Sequence, residues 1–208
     1  MRTVLTYSGK GGVGKTTVTR ELAVAGALAG RRVAIADLDP QAGITGWFGR
    51  RQAATPIMVS LPAGYDLKTL AAAGIDELLI DLPPGIPTYV AKLIVQADAV
   101  LIPCRPSPDD LSAAGGAIEM VANHPQWAFV LTQTLPRSRL TDGALRQLAG
   151  LGRVVPVSLG ARQDYPLAAI SGMAAVEFPG TKSAEEVKQL RAYVDKMIGF
   201  DGGKKTRR

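Results

Sequence analysis

A glycine-rich stretch near the N-terminus carries residue types at a spacing that could hold phosphate groups. Residues 8–17 read SGKGGVGKTT, and residues 9–16 have the form G-x-x-x-x-G-K-T. Glycines at this spacing let successive backbone N–H groups point inward at phosphate oxygens. Lys15 is then placed to reach the β- and γ-phosphates of a nucleotide, and the Thr16 hydroxyl to ligate Mg²⁺. Because the pattern lies between a predicted strand and a predicted helix, it indicates a phosphate-binding loop rather than a glycine-rich turn without a ligand.

Asp81 is the first candidate for an acidic partner of that loop. It closes the apolar run ELLID at residues 77–81. In phosphate-binding folds of this kind, an aspartate at the end of a neighbouring strand holds Mg²⁺ directly or through water. An aspartate at a strand end also serves ordinary turn chemistry, and the loop at residues 9–16 favours the metal role.

The run ADLDPQ at residues 36–41 offers a second acidic pair. Two carboxylates one residue apart on an extended chain point the same way, and Pro40 stops the strand behind them. They are therefore left at the carboxyl edge of the predicted sheet, where ligands bind in open α/β folds. One of them could orient a water against a γ-phosphate. Alternatively, one caps a helix that opens near Gly43, a role that suits Asp37 better than Asp39.

The same loop contains a second lysine, Lys10, at a position that phosphate binding does not itself require. A triphosphate with Mg²⁺ still carries net negative charge, so an additional cation has a use. From the residues alone, Lys10 is either such a cation or a solvated lysine on the loop.

Six short apolar runs alternate with helical patterns and predict the elements that position these residues. Runs that are apolar on both faces are typical of buried parallel strands, and strand–helix–strand units with right-handed crossovers give a sheet covered on both sides. The predicted fold is α/β, a single-domain P-loop NTPase over residues 1–200 with a mostly parallel twisted sheet flanked by helices. The predicted strands are TVLTY (3–7), VAIAD (33–37), ELLID (77–81), AVLIP (99–103), AFVLT (128–132) and VVPVS (154–158), and the clearest helical repeats are Val18, Leu22, Ala25, Ala29 and Leu111, Ala114, Ile118, Val121.

The C-terminal part of the chain predicts one more helix and a basic tail. The helix is expected from Ser183 to Ile198, with Ser183 and Glu186 as a capping box. The tail, residues 201–208, reads DGGKKTRR, and from its composition we expect it to be disordered.

Composition excludes several classes of function. The chain has 208 residues, 47% of them hydrophobic, a single cysteine, Cys104, and a single histidine, His124, which leaves no internal disulfide and no multi-cysteine metal site. A metallochaperone or metabolic ligase on this fold is disfavoured because the chain has no C-x-x-C. No apolar run approaches the roughly 20 residues that cross a bilayer, and no signal peptide is recognisable, so we expect a cytoplasmic protein. The net charge of +6 favours polyanionic partners.

The motifs resemble a known family. KGGVGKTT (10–17), DLDPQ (37–41) and LLIDLPP (78–84) resemble the deviant Walker A ATPases of the ParA/MinD group, in particular the small ParF-type plasmid partition ATPases that lack an N-terminal DNA-reading domain. The proline-rich segment 102–115 is similar to the corresponding segment and helix of those proteins. The stretch 162–165, with Gly172 and Glu177, is similar to their C-terminal region.

The resemblance implies a role for each site residue. Lys10 would be the signature lysine that crosses an ATP-sandwich dimer to the nucleotide of the other subunit. Asp39 would position the attacking water, and Thr16 and Asp81 would serve Mg²⁺. The segment Pro103 to Pro108 would lie beside the adenine and the dimer interface. The residues implied to act in catalysis are Lys10, Lys15 and Asp39, and those implied to bind ATP are Gly11, Gly12, Val13, Gly14, Lys15, Thr16 and Thr17.

By the same resemblance, the chain is expected to be an ATP-dependent DNA partition ATPase. Its ATP-bound homodimer would hold non-specific DNA on the nucleoid, and a centromere-binding adaptor would stimulate a hydrolysis that is otherwise slow, since no cis arginine finger is apparent. Alternatives are a positioning ATPase for another cargo, such as a protein cluster or a conjugative transfer complex, and a nucleotide-dependent scaffold. A MinD-like membrane ATPase is disfavoured because MIGFDGG at 197–203 is a poor membrane anchor.

The basic residues of the C-terminal half suggest a surface that reads DNA through its phosphates. They are Arg137, Arg139, Arg146, Arg153, Arg162, Lys182, Lys188, Arg191 and Lys196.

Overall fold

A seven-stranded parallel sheet forms the centre of the computed structural model, which describes residues 1–61, 67–85 and 87–200. The strand order is β3-β2-β4-β1-β5-β6-β7, and every strand pair is parallel. This confirms the predicted α/β P-loop architecture. The predicted tail at 201–208 lies outside the described residues. The strands are β1 (Arg2–Thr6), β2 (Val33–Asp37), β3 (Ile57–Met58), β4 (Glu77–Asp81), β5 (Ala99–Cys104), β6 (Trp127–Thr134) and β7 (Leu159–Gly160).

Five of the six predicted strands are present, and the prediction of a strand at 154–158 is wrong. There Val154 makes only an isolated parallel bridge to Phe129, and the last strand, β7, begins at Leu159. Pro156 explains the difference, because proline has no N–H to donate and interrupts a strand ladder.

Helices cover both faces of the sheet, which separates two hydrophobic cores. One core packs residues such as Leu22 and Leu190 against the sheet, and the other contains Ile94 and Leu148. Within the described residues, no helix is long and apolar enough to cross a membrane. The helices are α1 (Lys15–Leu28), α2 (Gly43–Phe48), α3 (Lys68–Ala72), α4 (Thr88–Gln96), α5 (Pro108–Val121), α6 (Arg139–Leu151), α7 (Asp164–Ile170) and α8 (Lys182–Met197), with a 3-10 turn at Ala175–Glu177.

The last helix forms as expected, but its predicted capping box is wrong. Thr181 is the N-cap residue, and its side chain accepts from the Ala184 N–H. Ser183 instead donates to Asp164 at 2.5 Å. Glu186 pairs with Arg162 at 2.6 Å and accepts from the Tyr165 hydroxyl at 2.9 Å. Tertiary partners thus take both side chains away from the helix end.

The strand order brings the polar loops of three strands together. β1 lies beside β4, and β4 lies beside β2, so Asp81 is in register with both Thr6 and Asp37. The loop at 8–14 follows β1 directly. The carboxyl ends of these strands therefore place the predicted site residues at one edge of the sheet, where open α/β folds bind ligands.

Candidate nucleotide-binding site

The glycine-rich loop lies between β1 and α1 and is supported by the end of β6. Gly12 and Gly14 have φ of 75° and 94°, in the left-handed region that side chains disfavour. Thr132 donates to the Val13 carbonyl at 2.7 Å, and the Gln133 side chain donates to the Gly12 carbonyl at 3.0 Å. These two loop carbonyls therefore accept hydrogen bonds from side chains of β6. In this geometry the backbone N–H groups of the loop are free to face phosphate oxygens.

Lys15, the first residue of α1, bends back over this loop. Its ammonium donates to the Lys10 carbonyl at 3.1 Å, and the residue is only 5% exposed. Burial lowers the pKa of Lys15, while the charges of Asp81 and Asp39 oppose that shift. The positive charge is held where a triphosphate on the loop would neutralise it.

Thr16 and Asp81 form the candidate magnesium site. The Thr16 hydroxyl donates to Asp81 Oδ2 at 2.6 Å, and Asp81 Oδ1 is buried without a hydrogen-bond partner. Burial raises the pKa of Asp81 to about 7, more than the Thr16 hydrogen bond and Lys15 lower it. An orphaned buried carboxylate oxygen beside a hydroxyl fits a hard cation such as Mg²⁺. The described residues contain no cluster of three or more His, Cys, Asp or Glu side chains, so the nucleotide and water would supply the other ligands.

The two aspartates after β2 have different surroundings. Asp37 Oδ2 accepts from both the N–H and the hydroxyl of Thr45, at 2.8 and 2.9 Å, in the first turn of α2. The helix-capping role left open for Asp37 is therefore the one its contacts support. Asp39 accepts only from the Gln41 N–H, at 2.9 Å, among the described hydrogen bonds. Its carboxylate has the capacity to bind a further donor such as water.

Lys10 does not contact the phosphate loop with its ammonium. Its Nζ lies 2.6 Å from Asp110 Oδ1 on α5, and the Asp110 side chain is fully buried. Arg105, which follows β5, shares the same carboxylate, with its Nε 2.5 Å from Oδ2. Burial raises the pKa of Asp110, but hydrogen bonds from Arg105, Lys10 and Ser107 outweigh it and hold that pKa below its ordinary value. Sequence reasoning named Lys10 and missed Arg105 and Asp110, since nothing in their spacing points to a shared carboxylate.

A cavity of about 360 Å³ opens beside the loop, within the size range of ligand pockets. Gly14 and Thr17 line it on the loop side, and Gln133, Arg162 and Pro166 line the far side. Arg162 and Gln133 were not predicted as site residues. The predicted contact of Pro103 to Pro108 with an adenine stays a prediction, as does the predicted binding of ATP by Thr17.

Two of the basic residues suggested for a DNA surface are engaged elsewhere. Arg191 is buried, with its Nη1 2.7 Å from Glu77 Oε1, and Arg162 pairs with Glu186. The remaining seven are exposed, so the basic surface must rest on those: Arg137, Arg139, Arg146, Arg153, Lys182, Lys188 and Lys196.

Comparisons with known proteins agree with this fold. The CobQ/CobB/MinD/ParA nucleotide binding domain matches residues 4–176. The chain is 32% identical over 197 residues to maintenance of carboxysome distribution protein A of Halothiobacillus neapolitanus, which covers 87% of this chain and 90% of that protein. It is 25% identical over 263 residues to a probable plasmid-partitioning protein ParA of Thermus thermophilus, covering 98% and 82%. The solved McdA–ATP complex from Cyanothece superposes with a TM-score of 0.75 at 19% identity, covering 99% of both chains.

Proposed function

Because this chain belongs to the CobQ/CobB/MinD/ParA family of nucleotide-binding domains, we propose that it is an ATP-driven positioning ATPase. ATP joins two subunits into a dimer, the dimer holds DNA without sequence preference, and hydrolysis releases it. One observation carries this proposal: Lys10 belongs to the phosphate loop, yet its ammonium is held on Asp110, away from its own loop. A cation held in that way is available to a nucleotide on another subunit.

The chemistry follows from the residues around the loop. Lys15 and the loop amides bind the triphosphate, and Thr16 with Asp81 holds Mg²⁺, which when bound draws negative charge from the phosphate oxygens. Asp39 accepts a hydrogen bond from the attacking water and orients it. We expect hydrolysis to be slow in the isolated protein, since no cis arginine finger is apparent in the sequence, and an adaptor protein to accelerate it.

The DNA-binding role rests on charge. The net charge is +6, and three arginines that follow β6 or lie on α6, Arg137, Arg139 and Arg146, are exposed. Contacts of this kind are made to phosphates and carry no base sequence. The resulting affinity falls steeply with salt.

Two cargoes are compatible with this machinery. In a partition system the adaptor binds a centromere-like site, and the similarity to the Thermus protein favours that reading. The 32% identity to a carboxysome distribution protein favours a protein cluster as cargo at least as strongly. A plasmid-loss assay in the native host, run beside fluorescence imaging of protein clusters after the gene is deleted, separates the two.

The first experiment is binding to a random-sequence DNA duplex with ATP, with ADP and without nucleotide, over a range of salt concentrations. Tight, salt-sensitive binding only with ATP, lost in Lys10→Ala, is the expected result. A scaffold would keep its function in Asp39→Asn, whereas a positioning cycle stalls in its bound state. Absence of DNA binding in every nucleotide state would refute the DNA role and direct the search to lipid vesicles and protein partners.

A further inference from the structure

Lys10 is one of two cations that share a single buried anion. Asp110 accepts from Lys10 Nζ through Oδ1, and from Arg105 through both oxygens, with Nε at 2.5 Å from Oδ2 and Nη2 at 3.2 Å from Oδ1. The guanidinium and the ammonium therefore lie side by side. The Lys10 and Arg105 side chains are 33% and 34% exposed, while the Asp110 side chain between them is 0% exposed.

The cluster keeps one positive charge that Asp110 does not neutralise. Asp110 lies in the first turn of α5, where the positive end of the helix dipole favours its ionised form. The Ser107 hydroxyl accepts a hydrogen bond from the Asp110 N–H there. Two cations on one carboxylate repel each other, so a second anion of similar geometry offers each of them a better arrangement. Phosphate oxygens are such an anion, and a guanidinium fork matches them in bidentate fashion.

We propose that Arg105 is a second trans-acting cation, which moves with Lys10 from Asp110 to the phosphates of the nucleotide bound by the other subunit. This inference rests on the proposed ATP-bound dimer. In the free subunit, Asp110 stores both cations and keeps them off the subunit's own phosphate loop. In the dimer, Arg105 supplies the arginine that the sequence does not provide in cis.

The test is dimer formation with the non-hydrolysable analogue AMPPNP and Mg²⁺, measured by sedimentation of the full chain without DNA. Arg105→Ala should weaken the dimer at least about tenfold, because each dimer loses two charge-assisted contacts. Arg105→Lys should recover part of the loss. The matched control, Arg32→Ala, removes an exposed arginine that directly precedes β2, at the opposite edge of the sheet from the phosphate loop, and should leave the dimer unchanged. Thermal unfolding of each variant verifies the fold.

Binding of AMPPNP at protein concentrations too low for dimer formation tests whether Arg105 contacts the nucleotide of its own subunit or that of the other subunit. Arg105→Ala should bind the analogue as the unsubstituted monomer does, since Arg105 serves the opposite nucleotide. If the monomer loses affinity as much as the dimer does, the contact is made in cis and the inference is wrong.

Asp110→Asn separates a phosphate contact from an effect through Asp110. This substitution releases both cations and should strengthen the dimer. Adding Arg105→Ala on that background should still weaken it by a similar factor. If the added substitution has no effect, Arg105 acts only by competing with Lys10 for Asp110, and the inference fails.

Lys10→Ala distinguishes failure of the inference from failure of the proposed function. If it abolishes the dimer while Arg105→Ala does not weaken it, only the role of Arg105 is refuted. If Lys10→Ala forms the dimer normally, the nucleotide-sandwich dimer itself is refuted, and the inference with it.

Discussion

At the scale of single residues, the two aspartates after β2 show how neighbouring carboxylates acquire different tasks. Asp37 Oδ2 accepts two hydrogen bonds from Thr45 in α2, whereas Asp39 accepts only one, from the Gln41 N–H, among the described hydrogen bonds. The sequence places them symmetrically, one residue apart on an extended chain. Only the position of α2, which begins at Gly43, assigns the cap to Asp37 and leaves Asp39 with acceptor capacity for a further donor.

A pair of isosteric substitutions tests this division. Asp39→Asn should reduce ATP hydrolysis by about 10²–10⁴-fold, the usual loss when a proton-accepting group is removed, and should leave nucleotide binding intact. Asp37→Asn keeps an oxygen that can accept from the Thr45 N–H, and asparagine caps a helix about as well as aspartate, so it should change the unfolding free energy by less than about 1 kcal/mol and have a much smaller effect on hydrolysis. Single-turnover hydrolysis and urea unfolding measure the two quantities. Equal losses of hydrolysis in both variants would contradict the assignment.

Cys104 illustrates a residue whose chemistry is suppressed by its position. Burial at the end of β5 raises the pKa of its thiol from 9.0 to about 11, with Asp110 adding to the shift and Arg105 and Lys10 opposing it. Cys104 is 3% exposed, so it packs as a small buried residue.

Alkylation kinetics follow from that shift. A thiol whose pKa is raised has less thiolate at any pH below it, so native Cys104 should react with iodoacetamide about 100-fold more slowly at pH 8 than the unfolded chain does. The rate should rise as the pH approaches 11. The measurement compares native protein with protein in guanidinium chloride. Similar rates in the two states would show that the thiol is accessible and its pKa ordinary.

At the scale of elements, α2 connects the acidic loop to the C-terminal segment. Trp47 donates to the Met173 carbonyl at 2.9 Å, and Arg51 pairs with Glu177 at 3.0 Å while donating to the Gly172 carbonyl. Gly172 has φ of 68°, and a Cβ there would lie 2.3 Å from the Arg50 carbonyl carbon. The contact requires glycine for two reasons, its backbone conformation and the close approach of another chain segment.

Two glycine substitutions separate those reasons. Gly172→Ala should lower the unfolding free energy by more than about 2 kcal/mol, since strain and a backbone collision add. Gly180→Ala is the matched control, because Gly180 has φ of 84° with nothing within 4 Å of its Cβ position. It should cost about 1 kcal/mol, from conformation alone. Equal losses, measured by urea unfolding, would mean that the Arg50 contact contributes nothing.

Sequence patterns could predict the features of this fold that depend on neighbouring residues. The features that depend on contacts between distant segments could not be predicted in this way. The loop at 9–16 and the acidic strand ends are read from neighbouring residues, and the structure brings them to one edge of the sheet. The pairing of Lys10 with Asp110 joins residues far apart in sequence, so no local motif predicts it. Ser183 fits a capping box by spacing, yet Asp164 binds its hydroxyl. The two-residue strand β3 is too short for an alternation pattern.

At the scale of the whole molecule, the edge of the sheet at the carboxyl ends of the strands and the edge at their amino ends have different roles. The carboxyl edge holds the candidate nucleotide site, and the opposite edge holds a buried ionic cluster. Glu77, at the start of β4, is 2.7 Å from Arg191 and 3.2 Å from Arg31. Asp195 lies 2.6 Å from Arg31 and 2.7 Å from Arg191, which ties α8 to β4 and to the end of α1. Arg191 was expected on a DNA surface, but its side chain is buried in an ion pair with Glu77.

Removing the charge of Glu77 should therefore change stability without changing the nucleotide site. Glu77→Gln should lower the unfolding free energy by about 3 kcal/mol, because two arginines lose a buried partner while Asp195 still neutralises part of their charge. The exposed pair of Lys188 and Glu185 is the control, and Lys188→Gln should cost less than about 1 kcal/mol. At about 100 times its dissociation constant, ATP with Mg²⁺ should add about 2.7 kcal/mol to both variants alike, since distant sites contribute independently. Thermal unfolding with and without nucleotide measures all three quantities, and a smaller nucleotide increment in Glu77→Gln would show that the two edges are coupled through β4.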